Sequence, residues 1–265
     1  MSVDQQKIAA ILEECARKYI LPRYRNLQNS EIQTKKHAND FVTIADIETE
    51  EALVEILPKI VPGAIVIGEE GVSSGKITTE ALNDATKTIF VVDPVDGTRN
   101  FKNGDPKFAL MMALVQGGET RMSWIYDVVG NVHYLGEKGS GAYCGGERLY
   151  IDKQSRAFSE STGFGYLKFG SAEDKVKSYT NLLCAAHEYI RIASAEADFC
   201  IYDFMTPWDH LAGVLMVQEA GGVVKKWDKS PYLVTDNRGG LLIASSDDLW
   251  DWIHKTFLNP ALEQE

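Results

Sequence analysis

An apolar run that ends abruptly in two carboxylates constrains the fold of this chain most. Residues 89–92, Ile-Phe-Val-Val, predict a buried strand, and the segment Asp93-Pro-Val-Asp96 follows it directly. Because open α/β sheets bind ligands beyond the carboxyl ends of their strands, this segment predicts a sheet with a ligand site at its edge. Pro94 fixes its own φ angle, which helps to aim both carboxylates at one point. An acidic turn after a buried strand is the alternative, since Asp-Pro and Asp-Gly are common turn dipeptides.

The next two residues suit a phosphate group. Gly97 has no side chain, so a ligand can approach the backbone closely there. Thr98 offers a hydroxyl group and an amide proton, both of which can bind phosphate oxygens. The segment therefore predicts phosphate chemistry beside a pair of carboxylates.

Two further acidic positions strengthen this interpretation. Glu69 follows the short apolar run at 64–67 and one glycine, and Asp209 stands at the predicted start of a helix. Taken singly, Glu69 is typical of a solvated loop and Asp209 is typical of a helix N-cap. Together with Asp93 and Asp96 they supply the oxygen ligands that Mg²⁺ prefers. The sequence thus predicts a magnesium site built from separate strand and helix ends.

The charge balance limits the choice of ligand. The 265 residues include 38 acidic and 27 basic ones, which gives a net charge of −11. Binding of DNA or RNA depends on clustered lysine and arginine, and no basic run exceeds the pairs Lys35-Lys36 and Lys225-Lys226. We therefore expect no nucleic acid polymer as a partner. A small phosphorylated metabolite fits an acidic protein if metal ions neutralise some of its carboxylates.

The sequence also predicts a cytoplasmic protein without a membrane partner. No apolar run reaches the roughly 18 residues that a membrane helix needs. The N-terminal segment MSVDQQKIAAILEE lacks the pattern of a secretory signal. The four cysteines form no Cys-x-x-Cys pair, which argues against a zinc site or a disulfide framework.

Helical periodicity and short β-like runs fill the first half of the chain. Apolar residues recur at helical spacing over 8–20, and a second helix is predicted over 47–57, to be stopped by Pro58 or Pro62. Gly and Asn turns between the β-like runs predict antiparallel hairpins. These runs are 64–67, 88–92, 108–115, 123–126, 132–135 and 141–143.

The second half alternates between helices and strands. The predicted helices are about 173–193, 208–220 and 249–257, and the predicted strands are 198–202, 223–224 and 241–244. Helices packed in layers on sheets, an α/β (α+β) fold, is the natural interpretation of this pattern. We predict an N-terminal α+β lobe over 1–155, which carries most of the acidic cluster. A C-terminal α/β lobe over 156–265 would complete the site.

Four segments together make the sequence resemble a known family. VVDPVDGTRNF at 91–101 is similar to the signature of the inositol monophosphatase family, D-P-[ILV]-D-G-T-x-N-F. Gly-Glu-Glu at 68–70 and Pro-Trp-Asp-His-Leu-Ala-Gly at 207–213 are similar to two further motifs of that family. The segment Asp40-Phe-Val-Thr-Ile-Ala-Asp46 resembles its D-x-V-T-x-x-D element. The resemblance extends from about residue 5 to residue 258.

This resemblance implies a layered αβαβα sandwich of the inositol monophosphatase and fructose-1,6-bisphosphatase type, and commonly a homodimer. It implies a phosphomonoesterase with two or three Mg²⁺ ions in each site, which uses an activated water to release phosphate from a small metabolite similar to inositol 1-phosphate. A sibling activity on histidinol phosphate, 3′-phosphoadenosine 5′-phosphate or a sugar bisphosphate is the alternative. An alternative of another class is a non-catalytic regulatory protein that binds metal or phosphate.

The resemblance also implies which residues hold the metal ions. Glu69, Asp93 and the backbone carbonyl of Val95 would bind the first ion. Asp93, Asp96 and Asp209 would bind the second, so that Asp93 bridges the two. Glu69 would hold a third ion through a water molecule.

The catalytic and phosphate-binding residues are implied in the same way. Asp46 and Thr98 would orient the attacking water, with Glu69 as the third catalytic group. The amides of Gly97 and Thr98 would bind the phosphate. Lys35 matches a family lysine near the same site.

One position departs from the family pattern. Members that act on inositol phosphates carry a glutamate seven residues before the aspartate that corresponds to Asp209, and Tyr202 stands there in this chain. Asp203 is adjacent, but neighbouring side chains on a strand face opposite ways. Cys184 and Ala185 are expected to line the leaving-group pocket, with Tyr202 and Asp209 as further substrate contacts. Because this pocket lacks a carboxylate acceptor at 202, we expect inefficient hydrolysis of inositol 1-phosphate.

A nucleotide substrate would need more basic or aromatic groups around residues 160–205 than a small polyol does. Tyr166, Lys168 and Phe169 lie in that stretch, and Arg99 is expected at the rim of the pocket. The sequence therefore leaves the substrate open between these classes.

Overall fold

The structure, a computed structural model, describes residues 3–35, 41–151 and 157–259. No helix in these ranges combines the length and the apolar character that a membrane crossing requires. The same ranges contain seven α-helices: α1 (Gln5–Cys15), α2 (Ile44–Ile60), α3 (Glu69–Ser73), α4 (Thr98–Lys102), α5 (Ala185–Ala193), α6 (Pro207–Glu219) and α7 (Asp247–Ile253).

The first half of the chain forms a short hairpin and a seven-stranded sheet. Strands β1 (Ile32–Thr34) and β2 (Phe41–Thr43) pair with each other in antiparallel fashion. The larger sheet has its strands in chain order, and only its first pair is parallel, which confirms the predicted hairpins. Its strands are β3 (Ile65–Gly68), β4 (Thr88–Asp96), β5 (Ala109–Gln116), β6 (Glu119–Asp127), β7 (Val132–Glu137), β8 (Gly141–Cys144) and β9 (Glu147–Arg148).

The second half of the chain forms a five-stranded mixed sheet. Its strands follow the order β11-β10-β12-β14-β13, so the chain crosses over between neighbours rather than forming a simple meander. The pairs of β10 with β11 and β12 are parallel, and the other two pairs are antiparallel. The strands are β10 (Thr162–Gly165), β11 (Ser178–Thr180), β12 (Phe199–Tyr202), β13 (Val223–Lys226) and β14 (Leu241–Ala244).

Alternating side chains on β4 separate two hydrophobic cores. Phe90 and Val92 belong to the core that includes residues of α1 and α2. Ile89 and Val91 belong to the core that includes residues of α5 and α6. Because successive side chains of a strand point to opposite faces, the seven-stranded sheet lies between these two helical layers.

The five-stranded sheet divides its side chains in the same way. Cys200 and Ile243 belong to the core shared with α5 and α6, whereas Ile201 and Leu242 pack with Trp250 of α7 in a third core. The order of layers is therefore α1 and α2, the first sheet, α5 and α6, the second sheet, and α7. This arrangement is the predicted αβαβα sandwich.

One predicted helix is wrong over half of its length. Of the predicted span 173–193, only Ala185–Ala193 is α-helical. Gly170–Lys175 is a short 3₁₀ helix, and Ser178–Thr180 pairs with β10 as an edge strand of the second sheet. Pairing with a distant strand decided the conformation of this segment, and local periodicity carries no information about such pairing.

Two other boundary predictions have different outcomes. Helix α2 continues through Pro58 to Ile60 and ends just before Pro62, so the second of the two predicted stops is the correct one. The predicted lobe boundary at residue 155 falls between Ile151 and Ala157, outside the described residues, and it stays a prediction.

Candidate active site

A β-bulge in β4 brings the first two carboxylates to the same side. Residues three apart on a regular strand face opposite sides of the sheet. Asp93 pairs with Met111 and Asp96 pairs with Ala109, so three steps along β4 match two along β5. The extra residue shifts the alternation by one position, and Pro94 fits the bulge because it has no amide proton to offer the ladder. An irregularity within β4 itself therefore brings Asp93 and Asp96 to one side of the sheet.

Helix α6 delivers the third carboxylate from the other half of the chain. Asp209 lies in the first turn of α6, where the hydroxyl group of Thr206 donates a hydrogen bond to its carboxylate. Asp93, Asp96 and Asp209 each place one carboxylate oxygen within 4.8 Å of the others. A negative charge is favourable at the start of a helix, which helps to hold Asp209 there.

The electrostatics of this cluster favour a cation. Burial, followed by the charge of Glu69, raises the pKa of both Asp93 and Asp209 well above the ordinary value. Burial also raises the pKa of Asp96, although the amide of Ala186 stabilises its charge through a hydrogen bond of 2.6 Å. Two buried carboxylates and a half-buried one at this separation repel one another when ionised. A divalent cation with oxygen ligands would offset that repulsion. The donor set therefore fits a hard metal ion such as Mg²⁺.

Glu69 lies in the same cavity but has a different partner. It is the first residue of α3, and its carboxylate accepts a hydrogen bond of 2.6 Å from Nζ of Lys35. Lys35 donates a second hydrogen bond of 2.6 Å to Glu70. The structure thus places Glu69 beside the cluster of Asp93, Asp96 and Asp209 and pairs it with the predicted lysine.

Glu50, which sequence reasoning missed, positions this acidic segment. Its buried carboxylate accepts hydrogen bonds of 2.8 and 2.7 Å from the amides of Glu70 and Gly71 at the start of α3. A β-carbon at Gly68 would lie 2.1 Å from the carboxyl carbon of Glu50, so only glycine fits there. Glu50 is one of several glutamates in α2, and no local signal distinguishes it from its exposed neighbours.

Asp46 connects helix α2 to Thr98. One of its oxygens accepts hydrogen bonds from the amide and the hydroxyl group of Thr43, which forms a capping box at the start of α2. Its other oxygen lies 3.3 Å from the hydroxyl oxygen of Thr98. Burial raises the pKa of Asp46 to about 7. Asp40, at the other end of the predicted motif, lies outside the described residues.

Gly97 has a conformation that no other residue would adopt easily. Its φ angle is +85°, in the left-handed region. A β-carbon there would lie 2.9 Å from the carbonyl oxygen of Lys107 and 3.1 Å from the β-carbon of Cys184. The turn between β4 and α4 therefore depends on glycine for both its backbone angle and its packing.

A cavity of about 480 Å³ collects most of the predicted site residues. Asp46 and Lys35 do not line the cavity themselves. Asp46 contacts Thr98 and Lys35 contacts Glu69, both of which do. Asp203 is exposed and does not line the cavity, whereas Tyr202 does. The predicted residues that line it are Glu69, Asp93, Val95, Asp96, Gly97, Thr98, Cys184, Ala185, Tyr202 and Asp209.

Cys184 and Glu188 line the side of this cavity that is formed by the start of α5. The thiol of Cys184 lies 3.1 Å from a carboxylate oxygen of Asp96 and joins the start of α5 to the acidic cluster. Glu188, which sequence reasoning missed, also lines the cavity, and its carboxylate accepts a hydrogen bond of 2.7 Å from the hydroxyl group of Tyr202. Position 202 itself offers no carboxylate, but helix α5 supplies Glu188 to the same pocket, which the sequence did not predict.

Comparison with known sequences identifies the family. A sequence model described as the inositol monophosphatase family matches residues 4–265. The chain belongs to this family. It is therefore a phosphomonoesterase of a metal-dependent family, and it acts on small phosphorylated substrates.

Individual relatives agree with this assignment. The inositol-1-monophosphatase of Caulobacter vibrioides is 35% identical over 231 residues, which are 82% of this chain and 86% of that protein. Nus factor SuhB of Vibrio cholerae is 30% identical over 215 residues, covering 76% of this chain and 78% of the relative. An IMPase of Thermotoga maritima has the same fold, with a TM-score of 0.84, 24% identity and coverage of 99% of both chains.

The acidic cluster makes the metal-free phosphatase sensitive to pH. Burial raises the pKa of Glu70 to about 8 and raises the pKa of Asp93 and Asp209 well above the ordinary value. These groups therefore hold protons in the folded state that they lose in the unfolded state. Stability is therefore lost as pH rises toward these folded-state values. We expect the melting temperature in EDTA to fall by at least about 4–8 °C from pH 6.5 to 8, because each group that stays protonated in the folded state contributes about 2 kcal/mol over this interval.

Thermal unfolding monitored by circular dichroism checks this expectation. The interval starts at pH 6.5 because His210, whose pKa burial lowers to about 3, has the opposite effect below its ordinary value of 6.5. Added Mg²⁺ should reduce the loss at pH 8. A melting temperature that rises between pH 6.5 and 8 in EDTA would show that the cluster is ionised at neutral pH without a metal.

Proposed function

We propose that the protein is a Mg²⁺-dependent phosphomonoester hydrolase that releases phosphate from a small phosphorylated metabolite similar to inositol 1-phosphate. The observation that carries this proposal is the group of three carboxylates at the edge of a cavity, of which Asp93 and Asp96 are buried and Asp209 is half-buried. Four carboxylates including Glu69 would repel a phosphate dianion, so they fit such a substrate only with metal ions bound.

Five groups would hold the metal ions. They are the carboxylates of Glu69, Asp93, Asp96 and Asp209 and the carbonyl group of Val95, all from residues that line the cavity. By the family resemblance, Asp93 would be the ligand shared by two ions, and its carboxylate lies within 4.8 Å of those of Asp96 and Asp209. When bound, divalent cations supply a nucleophile from water and neutralise charge on the phosphate and on the leaving oxygen. Lys35 holds the carboxylate of Glu69 in place beside them.

Thr98 and Asp46 would orient the attacking water. The hydroxyl oxygen of Thr98 lies 3.0 Å from the carbonyl oxygen of Val95 and 3.3 Å from Asp46. A hydroxyl group has one proton to donate. If Val95 is used as a metal ligand, this proton goes to Asp46, and the oxygen of Thr98 accepts a hydrogen bond from water. The amides of Gly97 and Thr98, at the start of α4, would bind the phosphate oxygens.

The leaving group would lie against Cys184, Ala185 and Tyr202. These side chains line the cavity on the side of α5 and β12. Hydrolysis of histidinol phosphate, 3′-phosphoadenosine 5′-phosphate or a sugar bisphosphate uses the same phosphate chemistry and differs only on this side. The homodimer implied by the family resemblance stays a prediction.

Metal dependence is the test of this proposal. Release of phosphate from p-nitrophenyl phosphate and inositol 1-phosphate is expected to stop in excess EDTA and to resume when Mg²⁺ is restored. Mg²⁺ should also raise the melting temperature, which reports binding independently of turnover. A circular dichroism spectrum in EDTA controls for unfolding. Full turnover of a folded protein in EDTA would contradict the proposal.

A further inference from the structure

Three aromatic rings in edge-to-face contact line the leaving-group side of the cavity. Tyr166 stands at the rim, where it is 51% exposed, and its ring centroid lies 6.4 Å from that of Phe204. The ring of Phe204 lies 5.8 Å from that of Tyr202, which is 2% exposed at the floor. All three side chains line the cavity. We call Tyr166, Phe204 and Tyr202 the aromatic wall.

The carboxylate of Glu188, which lines the cavity beside the aromatic wall, is largely occupied by donors of the protein itself. Glu188 accepts hydrogen bonds from the amide of Leu182 at 3.0 Å, the hydroxyl group of Tyr202 at 2.7 Å and the thiol of Cys200 at 3.4 Å. A carboxylate offers about four acceptor positions, so three of them are taken. Tyr202 directs its only proton to Glu188. A polyol, whose hydroxyl groups all need acceptors, therefore finds few on this side of the cavity.

The open surface of this side suits a flat ring better. Tyr166 lines the cavity and is 51% exposed, and covering an exposed aromatic ring is favourable. Arg99 also lines the cavity from the exposed rim, and a guanidinium group stacks on planar rings or pairs with an anion. Phe169, by contrast, packs 5.2 Å from Phe257 in the core under α7 and takes no part.

We propose that the aromatic wall binds the base of a nucleoside, so that nucleoside monophosphates are better substrates than phosphorylated polyols or sugars. This inference rests on the proposed phosphomonoesterase function and names its substrate class. The phosphate would lie at the acidic cluster and the base against Tyr166 and Phe204. Stacking of a base on an aromatic side chain raises affinity by roughly 5- to 150-fold and tolerates any base, since every base has a π-face.

A matched pair of substrates isolates the contribution of the base. Adenosine 5′-monophosphate and ribose 5-phosphate carry the phosphate on the same primary alcohol and differ in the base. We expect kcat/KM with Mg²⁺ to be at least about tenfold higher for the nucleotide, or about 1.4 kcal/mol. The difference should lie mainly in KM, because the wall binds the part of the substrate that does not react.

Two variants test whether the wall is the cause. Tyr166→Leu and Phe204→Leu keep an apolar side chain but remove a ring face. Each is expected to lower kcat/KM for the nucleotide by at least about fivefold and to change the value for ribose 5-phosphate by less than twofold. Tyr150→Leu is the matched control, since Tyr150 is 66% exposed and does not line the cavity, and it should change neither value.

The outcomes separate this inference from the proposed function. If ribose 5-phosphate and inositol 1-phosphate are hydrolysed with Mg²⁺ at least as well as the nucleotide, the stacking proposal is wrong and the phosphatase proposal stands. A nucleotide preference that survives in both leucine variants also overturns the role of the wall. If no substrate releases phosphate with Mg²⁺, both proposals fail together.

Discussion

Asp93→Asn is expected to lower kcat at saturating Mg²⁺ by about a thousandfold. Asp93 is 2% exposed and belongs to the group of carboxylates that also contains Asp96 and Asp209. If it bridges two ions, an amide in its place weakens both, and a loss of about 4 kcal/mol in charge stabilisation corresponds to this factor. Rate measurements over a range of Mg²⁺ concentrations would separate lower kcat from weaker metal binding.

Two other variants provide the comparison. Asp209→Asn perturbs one ion and should lose less activity than Asp93→Asn. Asp203→Asn changes an exposed carboxylate that does not line the cavity, and it should leave kcat within about twofold. The melting temperature of Asp93→Asn in EDTA should be higher than that of the unmodified protein near pH 8, because asparagine, unlike Asp93, does not have to take up a proton to be buried in the cluster. Near-normal kcat in folded Asp93→Asn would show that Asp93 is not a bridging ligand.

The elements that carry the acidic residues were predictable because each is encoded locally. The apolar run at 89–92 predicts β4, and Asp93 and Asp96 lie at the C-terminal end of this strand. Pro207 begins α6 two residues before Asp209, as helix starts commonly do. What brings them together is the layered fold, and the family motifs were needed to predict that residues more than a hundred positions apart share one site.

The supporting contacts could not be predicted, because they join distant parts of the chain through ordinary residues. The thiol of Cys184 contacts Asp96, which lies 88 residues earlier in the chain, and no sequence pattern around either residue predicts this contact. Glu188 looks like an exposed helix residue in the sequence but is 1% exposed, since β12 places Tyr202 against it. The sequence shows that Tyr202 replaces the glutamate of the family pattern, but it does not show that Glu188 of α5 supplies a carboxylate beside it.

Asp46→Asn is expected to lower kcat by about 10²- to 10⁴-fold, the range of a lost acid–base group, with little change in KM. One oxygen of Asp46 accepts from the amide and hydroxyl of Thr43, and the other faces the hydroxyl of Thr98. An asparagine cannot accept on both sides. If its amide group faces Thr98, that hydroxyl must turn its proton toward Val95, 3.0 Å away. The asparagine then occupies one of the two lone pairs of the Thr98 oxygen, so the orientation that this oxygen offers to water changes.

Comparison with Thr43 and Thr98 variants distinguishes this effect from a displaced helix. Thr43→Val removes the capping hydroxyl but keeps the hydrogen bond from the backbone amide of residue 43 to Asp46. It should therefore lower the free energy of unfolding by about 1 kcal/mol and kcat by less than tenfold. Thr98→Val should resemble Asp46→Asn in kcat, whereas Thr98→Ser, which keeps the hydroxyl, should retain most of the activity. Thr43→Val with as large a loss of kcat as Asp46→Asn would mean that Asp46 acts by holding α2. In that case Thr98 would need another partner to direct its proton, and the carbonyl of Val95 is the acceptor within reach.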